Sequence, residues 1–224
     1  MKTIDSVQEY IKIVLEMKKQ IDGDLIFRGH ASKDYELKPS IGRKDYSEEK
    51  EMKVFMDFKK QYFSYTSERP ETDMDILFLA QHYGLPTRLL DWSYNPMIAL
   101  YFACESHDEI DGAIYALSLS EYKLADSEDY SQAPQTMSEI MKMENNMYVV
   151  PKYTDARYKN QKALFLLCSK PYKKFTFAKP TFIIKKDFKK TILHDLATLG
   201  YDKTLIYPLL DSLCEDIKFK NGLE

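Results

Sequence analysis

Three places in the sequence bring chemistry-bearing residues together. The densest runs from Ala80 to Ala103, AQHYGLPTRLLDWSYNPMIALYFA. It holds Gln81, His82, Thr87, Arg88, Asp91, Trp92 and Ser93 in a short span, and Trp92 is the only tryptophan. Such polar groups are costly to bury without partners. The span is therefore a satisfied hydrogen-bond network, a binding pocket, or both. Asn95-Pro96 reads as a helix start, with Asn at the N-cap and Pro at the first helical position. That helix opens beside Trp92 and Ser93, where free N–H groups and the positive dipole end suit an anion. The second place is Arg28-Gly29, where a guanidinium can fork onto a phosphate or onto a carboxylate such as Asp91. The third is Gln161, just ahead of the apolar run Ala163–Cys168.

Each residue also has a plainer reading. Arg28 suits a structural salt bridge as well as a ligand. Arg88 and Asp91, three apart, pair with each other or with Arg28, a scaffold network more than chemistry. His82 fits a buried, hydrogen-bonded histidine. Thr87 and Ser93 can cap loops. Trp92 fits a core anchor, or a wall for a flat ring. No Ser or Cys stands beside an evident base, which argues against a hydrolase triad. His30, His82, His107 and His194 show no paired spacing, so no metal site is expected.

The elements that must position these residues follow from pattern. Ser6 to Lys19 reads as an amphipathic helix with Ser6 and Glu9 as a capping box and Val7, Tyr10, Ile11, Val14 and Met17 as the stripe. Leu25-Ile26-Phe27 is a short strand delivering Arg28. Tyr46 to Tyr62 is a second helix, and Ser67 to Asp75 a polar connection. Ile76 to Tyr83 ends a third helix, with Leu77, Ala80 and Tyr83 inward, stopped by Gly84. Thr87 to Trp92 is too short and polar for a buried strand and reads as an extended loop. Strands follow at Gly112–Leu119, Tyr148–Val150, Ala163–Cys168 and Thr181–Ile184. Ser120 to Asn145 is a polar stretch with a helix near Met137–Met143. Lys189–Leu199 is a helix stopped by Gly200, and Lys203–Lys218 a last one. No repeat or Gly/Ser linker interrupts the chain. The expectation is α+β: one domain over 1–224, a mixed or antiparallel sheet flanked by helices, with helices 6–19 and 189–218 packed on it.

Composition narrows the partners. The chain has 224 residues, 44% hydrophobic, 13% aromatic with 17 tyrosines, and a formal net charge of -3. No global basic field calls for nucleic acid, though the Lys173-Lys174, Lys185-Lys186 and Lys189-Lys190 pairs with the tyrosines suit either a solvated face or an RNA groove. No apolar run approaches a membrane span, and no signal peptide is evident. Three scattered cysteines without metal spacing fit a reducing cytoplasm.

The same residues resemble the FRG domain family, named for Phe-Arg-Gly. The matching positions are Phe27-Arg28-Gly29, Tyr35, Leu37, Pro39-Ser40-Ile41, Arg43 and the block Ala80 to Ser93. Asn95-Pro96, Ala99 to Ala103, Arg157, Asn160-Gln161 with Phe165, Gly200 and Tyr207-Pro208 with Asp211 follow. His30 stands where the family more often has Gln, and Ser93 where it often has Thr.

A more distant resemblance is to ADP-ribosyltransferases of the Arg-Ser-Glu type. Arg28-Gly29 resembles their first element, and Ser93 with Ala99–Ala103 their second. Gln161 stands where the third has Glu. A Gln can bond a ribose hydroxyl but cannot act as a base; Glu105 and Asp91 are the alternative acids. This resemblance implies an NAD-dependent ADP-ribosyltransferase-like toxin or antiphage effector. Arg28, Ser93 and Gln161 are its expected catalytic residues. Arg28, Gly29, His82, Tyr83, Thr87, Arg88, Asp91, Trp92 and Asn95 are expected to bind NAD as substrate, without metal. The implied partners are a macromolecular target, protein or RNA/DNA, and an antitoxin or inhibitor, with no membrane. The alternative is a non-catalytic nucleic-acid or protein-binding module whose Arg/Asp/His network is structural. No Gly-x-Gly-x-x-Gly occurs, so a hydride-transfer site is not expected.

Overall fold

The structure is a computed structural model describing every residue except 45, 126–131, 153–154, 174, 176–177 and 224. The first half of the chain gives β1 (Lys2–Ile4), α1 (Val7–Gln20), β2 (Leu25–His30), α2 (Glu48–Gln61), α3 (Asp73–His82), β3 (Leu89–Ser93), α4 (Pro96–Cys104) and β4 (Gly112–Ser118). The second gives β5 (Leu124–Ala125), α5 (Met137–Met141), β6 (Met147–Val149), α6 (Ala156–Asn160), β7 (Ala163–Leu167), β8 (Phe182–Ile184), α7 (Lys189–Thr198), α8 (Lys203–Ile206) and α9 (Leu210–Lys220). No helix among the described residues is long and apolar enough to cross a membrane.

Local chemistry accounts for most boundaries. Ser6 Oγ accepts from the Glu9 N–H, and α1 buries Val7, Tyr10 and Val14. Asn95 Oδ1 accepts from the Met97 N–H with Pro96 following, so α4 starts where its sequence says. Gly84 and Gly200, past the ends of α3 and α7, have positive φ values of 83° and 85° that glycine adopts without strain.

The strands form one mixed eight-stranded sheet in the order β1-β8-β4-β2-β3-β7-β6-β5. Among the described residues only the β1–β8 and β5–β6 pairs are parallel. Strand β2 pairs with β4 from Leu25↔Ser118 to His30↔Ala113, and β3 pairs with β7 from Leu89↔Leu167 to Ser93↔Ala163. Between them, β2 and β3 meet at one register position, Phe27↔Ser93. The sheet is thus two four-stranded halves joined at a narrow central seam.

Side-chain alternation assigns the cores to faces. On one face Leu25, Phe27 and Ile114 pack with α1, α4 and α7. Leu89, Phe165 and Leu167 on the same face pack with α2, α3 and α5 as a separate core. On the other face Ile26, Tyr115, Leu90, Trp92, Leu164 and Leu166 form one core crossing the seam. Helix α4 lies close on β2 and β4 because of two glycines. A Cβ on Gly29 would stand 2.0 Å from the Ala99 carbonyl oxygen, and one on Gly112 would stand 2.2 Å from that of Ala103.

Five expectations are corrected. Thr87–Trp92 is not an extended loop: its second part is β3, the strand beside the seam. Leu89, Leu90, Trp92 and Ser93 are buried there and Asp91 is exposed. The polar residues that suggested a loop precede the strand, where Arg88 finds Glu51 rather than Asp91 or Arg28. Its Nε and Nη2 donate to the two Glu51 oxygens at 2.6 and 2.7 Å, and Nη1 donates to the Cys168 and Ile140 carbonyls. Helix α3 begins inside the supposed polar connection, because Thr72 and Asp75 form a reciprocal capping box. Tyr83 is exposed past its end. The last helix is two, α8 and α9, since Pro208 cannot continue a helix.

Candidate functional site

The seam is where the chain's polar residues converge. Past Phe27, β2 has no register partner in β3, and the Arg28 side chain occupies the opening. Its Nη1 donates to the Asp91 backbone oxygen at 2.5 Å and reaches Asp91 Oδ2 at 3.4 Å. Its Nε donates to His30 Nε2 at 3.0 Å. Nη2 has no hydrogen-bond partner among the described residues.

His30 holds Arg28 because it is neutral. Burial lowers its pKa to about 3, with the charges of Arg28 and Arg43 adding to the effect. A neutral ring offers Nε2 as an acceptor, which an imidazolium cannot do. Burial likewise lowers the Arg28 pKa, with Asp91 opposing and Arg43 reinforcing that shift.

Around this point lies a cleft of about 260 Å³. Arg28, Gly29, His30, Tyr35 and Arg43 line it from β2 and the following loop; Gln81, His82, Asp91, Trp92 and Ser93 from α3 and β3. Phe102, Glu105 and His107 contribute from the end of α4, and Arg157, Tyr158, Gln161 and Phe165 from α6 and β7. The lining comes from both faces of the sheet, as an opening between strands requires.

Arg28, Ser93 and Gln161 therefore stand around one cavity, and Ser93 and Gln161, like Arg28, are already hydrogen-bonded. Ser93 Oγ donates to the Gln161 backbone oxygen at 2.5 Å and accepts from the Asn95 N–H at 2.9 Å. Gln161 Nε2 donates to the Ile206 carbonyl at 2.9 Å. Both brace the join between β3, α4, α6 and α8. Of the other candidates, Gly29, His82, Asp91 and Trp92 line the cleft, while Tyr83, Thr87, Arg88 and Asn95 are not among its lining residues. Thr87 bonds Gln81, and Asn95 caps α4. His82 Nδ1 stands 3.9 Å from Asp155 Oδ1 and has no hydrogen bond among the described residues. Trp92 is buried with its Nε1–H unpartnered among them.

Besides Asp91, the cleft is lined by a second acid, Glu105. It accepts from the Tyr207 hydroxyl at 3.1 Å, and Arg157 stacks over the Tyr207 ring at 5.0 Å. Glu105 is solvent-accessible, yet the protein crowded around its carboxyl raises the pKa to about 6, against the opposing effects of Tyr207, Lys203 and Arg157. His30 as the acceptor for Arg28, Tyr158 as a wall, and His107 at the rim were not singled out from sequence. A signal for His30 was present: residues two apart on a strand share a face.

The cleft's first wall carries the Phe27-Arg28-Gly29 motif, and its second carries Gln81 to Ser93. Residues 23–112 match the FRG domain. No curated protein and no solved structure matches the chain. The FRG segment runs from the turn before β2 to the start of β4 and so supplies both strands of the seam. Arg157, Tyr158, Gln161 and Phe165 complete the cleft from outside it. Within the FRG segment, Gly29 permits the close seat of α4, and Arg88 ties α2 to the sheet, so part of the motif serves the fold.

Proposed function

We propose that the cleft binds NAD as a substrate and cleaves its nicotinamide–ribose bond, passing ADP-ribose to an acceptor. The carrying observation is the convergence of a largely buried guanidinium, Arg28, whose Nη2 is unbonded among the described residues, and a carboxylate of raised pKa, Glu105, on one cavity. Drug-sized ligands occupy pockets of roughly 300–1,000 Å³. A cleft of 260 Å³ therefore takes the nicotinamide riboside end, leaving the adenylate end along the rim.

Cleavage breaks the bond from ribose C1′ to the pyridinium nitrogen. The bonding pair leaves with nicotinamide, which becomes neutral, and positive charge develops on the ribose. An ionised Glu105 stabilises that charge and takes the proton of an attacking hydroxyl. Arg28 holds the pyrophosphate. Phe102 and Tyr158 offer aromatic surface to the nicotinamide. Ser93 and Gln161 act here by holding the walls. Action as a toxin or antiphage effector on a protein, RNA or DNA target, with a neutralising partner, extends the transferase resemblance.

Incubation of the pure protein with labelled NAD, with and without cell extract, tests this. The expected result is nicotinamide release or label transfer that rises with pH around 6 and falls about 10²-fold or more in Glu105→Gln. No NAD consumption, no transferred label and no NAD binding by calorimetry would favour a binding module with a structural Arg28–His30–Asp91 set.

A further inference from the structure

We propose that the Asp91 carboxylate is a placeholder on Arg28, displaced by a phosphoryl group when ligand enters the cleft. This deepens the NAD reading and rests on the same cleft. Two of the three contacts to Arg28 come from uncharged acceptors: His30 Nε2 at 3.0 Å and the Asp91 backbone oxygen at 2.5 Å. Both keep the guanidinium aimed whether or not a carboxylate is present. The third contact, to Asp91 Oδ2, is 3.4 Å, against roughly 2.7–2.9 Å for a well-made charge-assisted bond. The Arg28 side chain is 11% exposed but that of Asp91 is 57% exposed, so water already competes for the carboxylate.

Asp91 also has somewhere to go. Its Oδ1 accepts from Gln81 Nε2 at 3.1 Å, and Gln81 is itself held by the Thr87 hydroxyl. With Oδ2 released, Nη2 and the second N–H of Nη1 are open to ligand, while Nη1 keeps its bond to the Asp91 backbone oxygen. Arg43 lines the same cleft, and of its side-chain nitrogens only Nε is bonded among the described residues, to the Lys38 carbonyl. Its charge is near enough to weaken proton binding at Arg28. Two guanidinium charges match the one to two negative charges and several acceptor oxygens of a phosphoryl group. A ligand carboxylate would only repeat what Asp91 supplies, so the geometry favours a phosphate ester or pyrophosphate.

The test is calorimetric titration of inorganic pyrophosphate, and separately of NAD, into the full chain. Wild type, Asp91→Asn, Asp91→Ala and Arg28→Ala are compared, with a thermal melt of each. Asn keeps an acceptor for Gln81 while removing the charge. Both Asp91 variants should bind pyrophosphate about three- to tenfold more tightly than wild type, the scale of a half-exposed ion pair that no longer competes. Arg28→Ala should lose binding. Unchanged or weaker binding by the Asp91 variants, or no pyrophosphate binding by any protein, overturns the proposal. The expected ranking without NAD cleavage overturns the NAD reading and leaves the exchange standing.

Discussion

Arg28 is aimed by acceptors without charge, and this makes the state of His30 decisive. An unfolded histidine takes up a proton near its ordinary pKa of 6.5, whereas the folded one resists until about pH 3. Between those values the unfolded chain binds more protons, so His30 contributes stability that is lost as pH falls through this window. His30→Gln keeps an uncharged acceptor and removes the titration. Melts from pH 7 to 4 should show a shallower acid loss in His30→Gln than in wild type; equal slopes would refute this. His30→Ala should impair ligand binding where His30→Gln does not. The same logic separates the roles of Arg28. If it holds a ligand, Arg28→Ala abolishes activity and keeps most of its melting temperature. A loss on the order of 3–5 kcal/mol, usual for breaking a buried pair, would mark it as scaffold. Arg28 and Asp91 were legible because residue type and motif named them; the strand end was not, since β2 runs on through Arg28 and Gly29 to His30. The orientation of Ser93 and Gln161 was not: both hydroxyl and amide serve backbone groups brought from distant elements.

At the scale of elements, α4 depends on contacts that leave no room. Gly29→Ala places a methyl group 2.0 Å from the Ala99 oxygen, and backbone on both sides resists the shift. A cost of about 1–3 kcal/mol is expected, measured as a lowered urea midpoint. Glu51→Ala should cost more, about 3–5 kcal/mol, because it strands a fully buried Arg88. Glu51 also accepts from Tyr172 at 2.8 Å, so the variant loosens α2 from two segments at once. Helices α1, α4 and α7 and strands β4, β7 and β8 could be read from periodicity and caps. Strand β3 could not, because Thr87 and Arg88 ahead of it and Asp91 within it mask three apolar inward positions. The partner that makes Arg88 tolerable lies 37 residues away on α2. Short pieces such as β1, β5 and α6 carry too few residues for any period to show.

At the scale of the molecule, the α+β sheet with flanking helices follows from the pattern of elements, but the seam does not. Nothing in the sequences of β2 and β3 says that they pair at one position. That is decided by Arg28 occupying the opening and by two helical layers seated on separate cores. The catalytic reading depends on this, because Glu105 comes from one half of the molecule and Arg157 and Gln161 from the other.

A sheet joined so narrowly at its centre should not open as one body. The β1-β8-β4-β2 half and the β3-β7-β6-β5 half have their own cores on one face and share only the core on the other. Amide hydrogen exchange should resolve two cooperative units with different opening free energies, the boundary falling between Phe27 and Ser93. Anything bound between Arg28 and the far wall would couple them, and the less protected unit would gain protection toward the level of the other. The cleft would then report ligand through the breathing of the whole sheet.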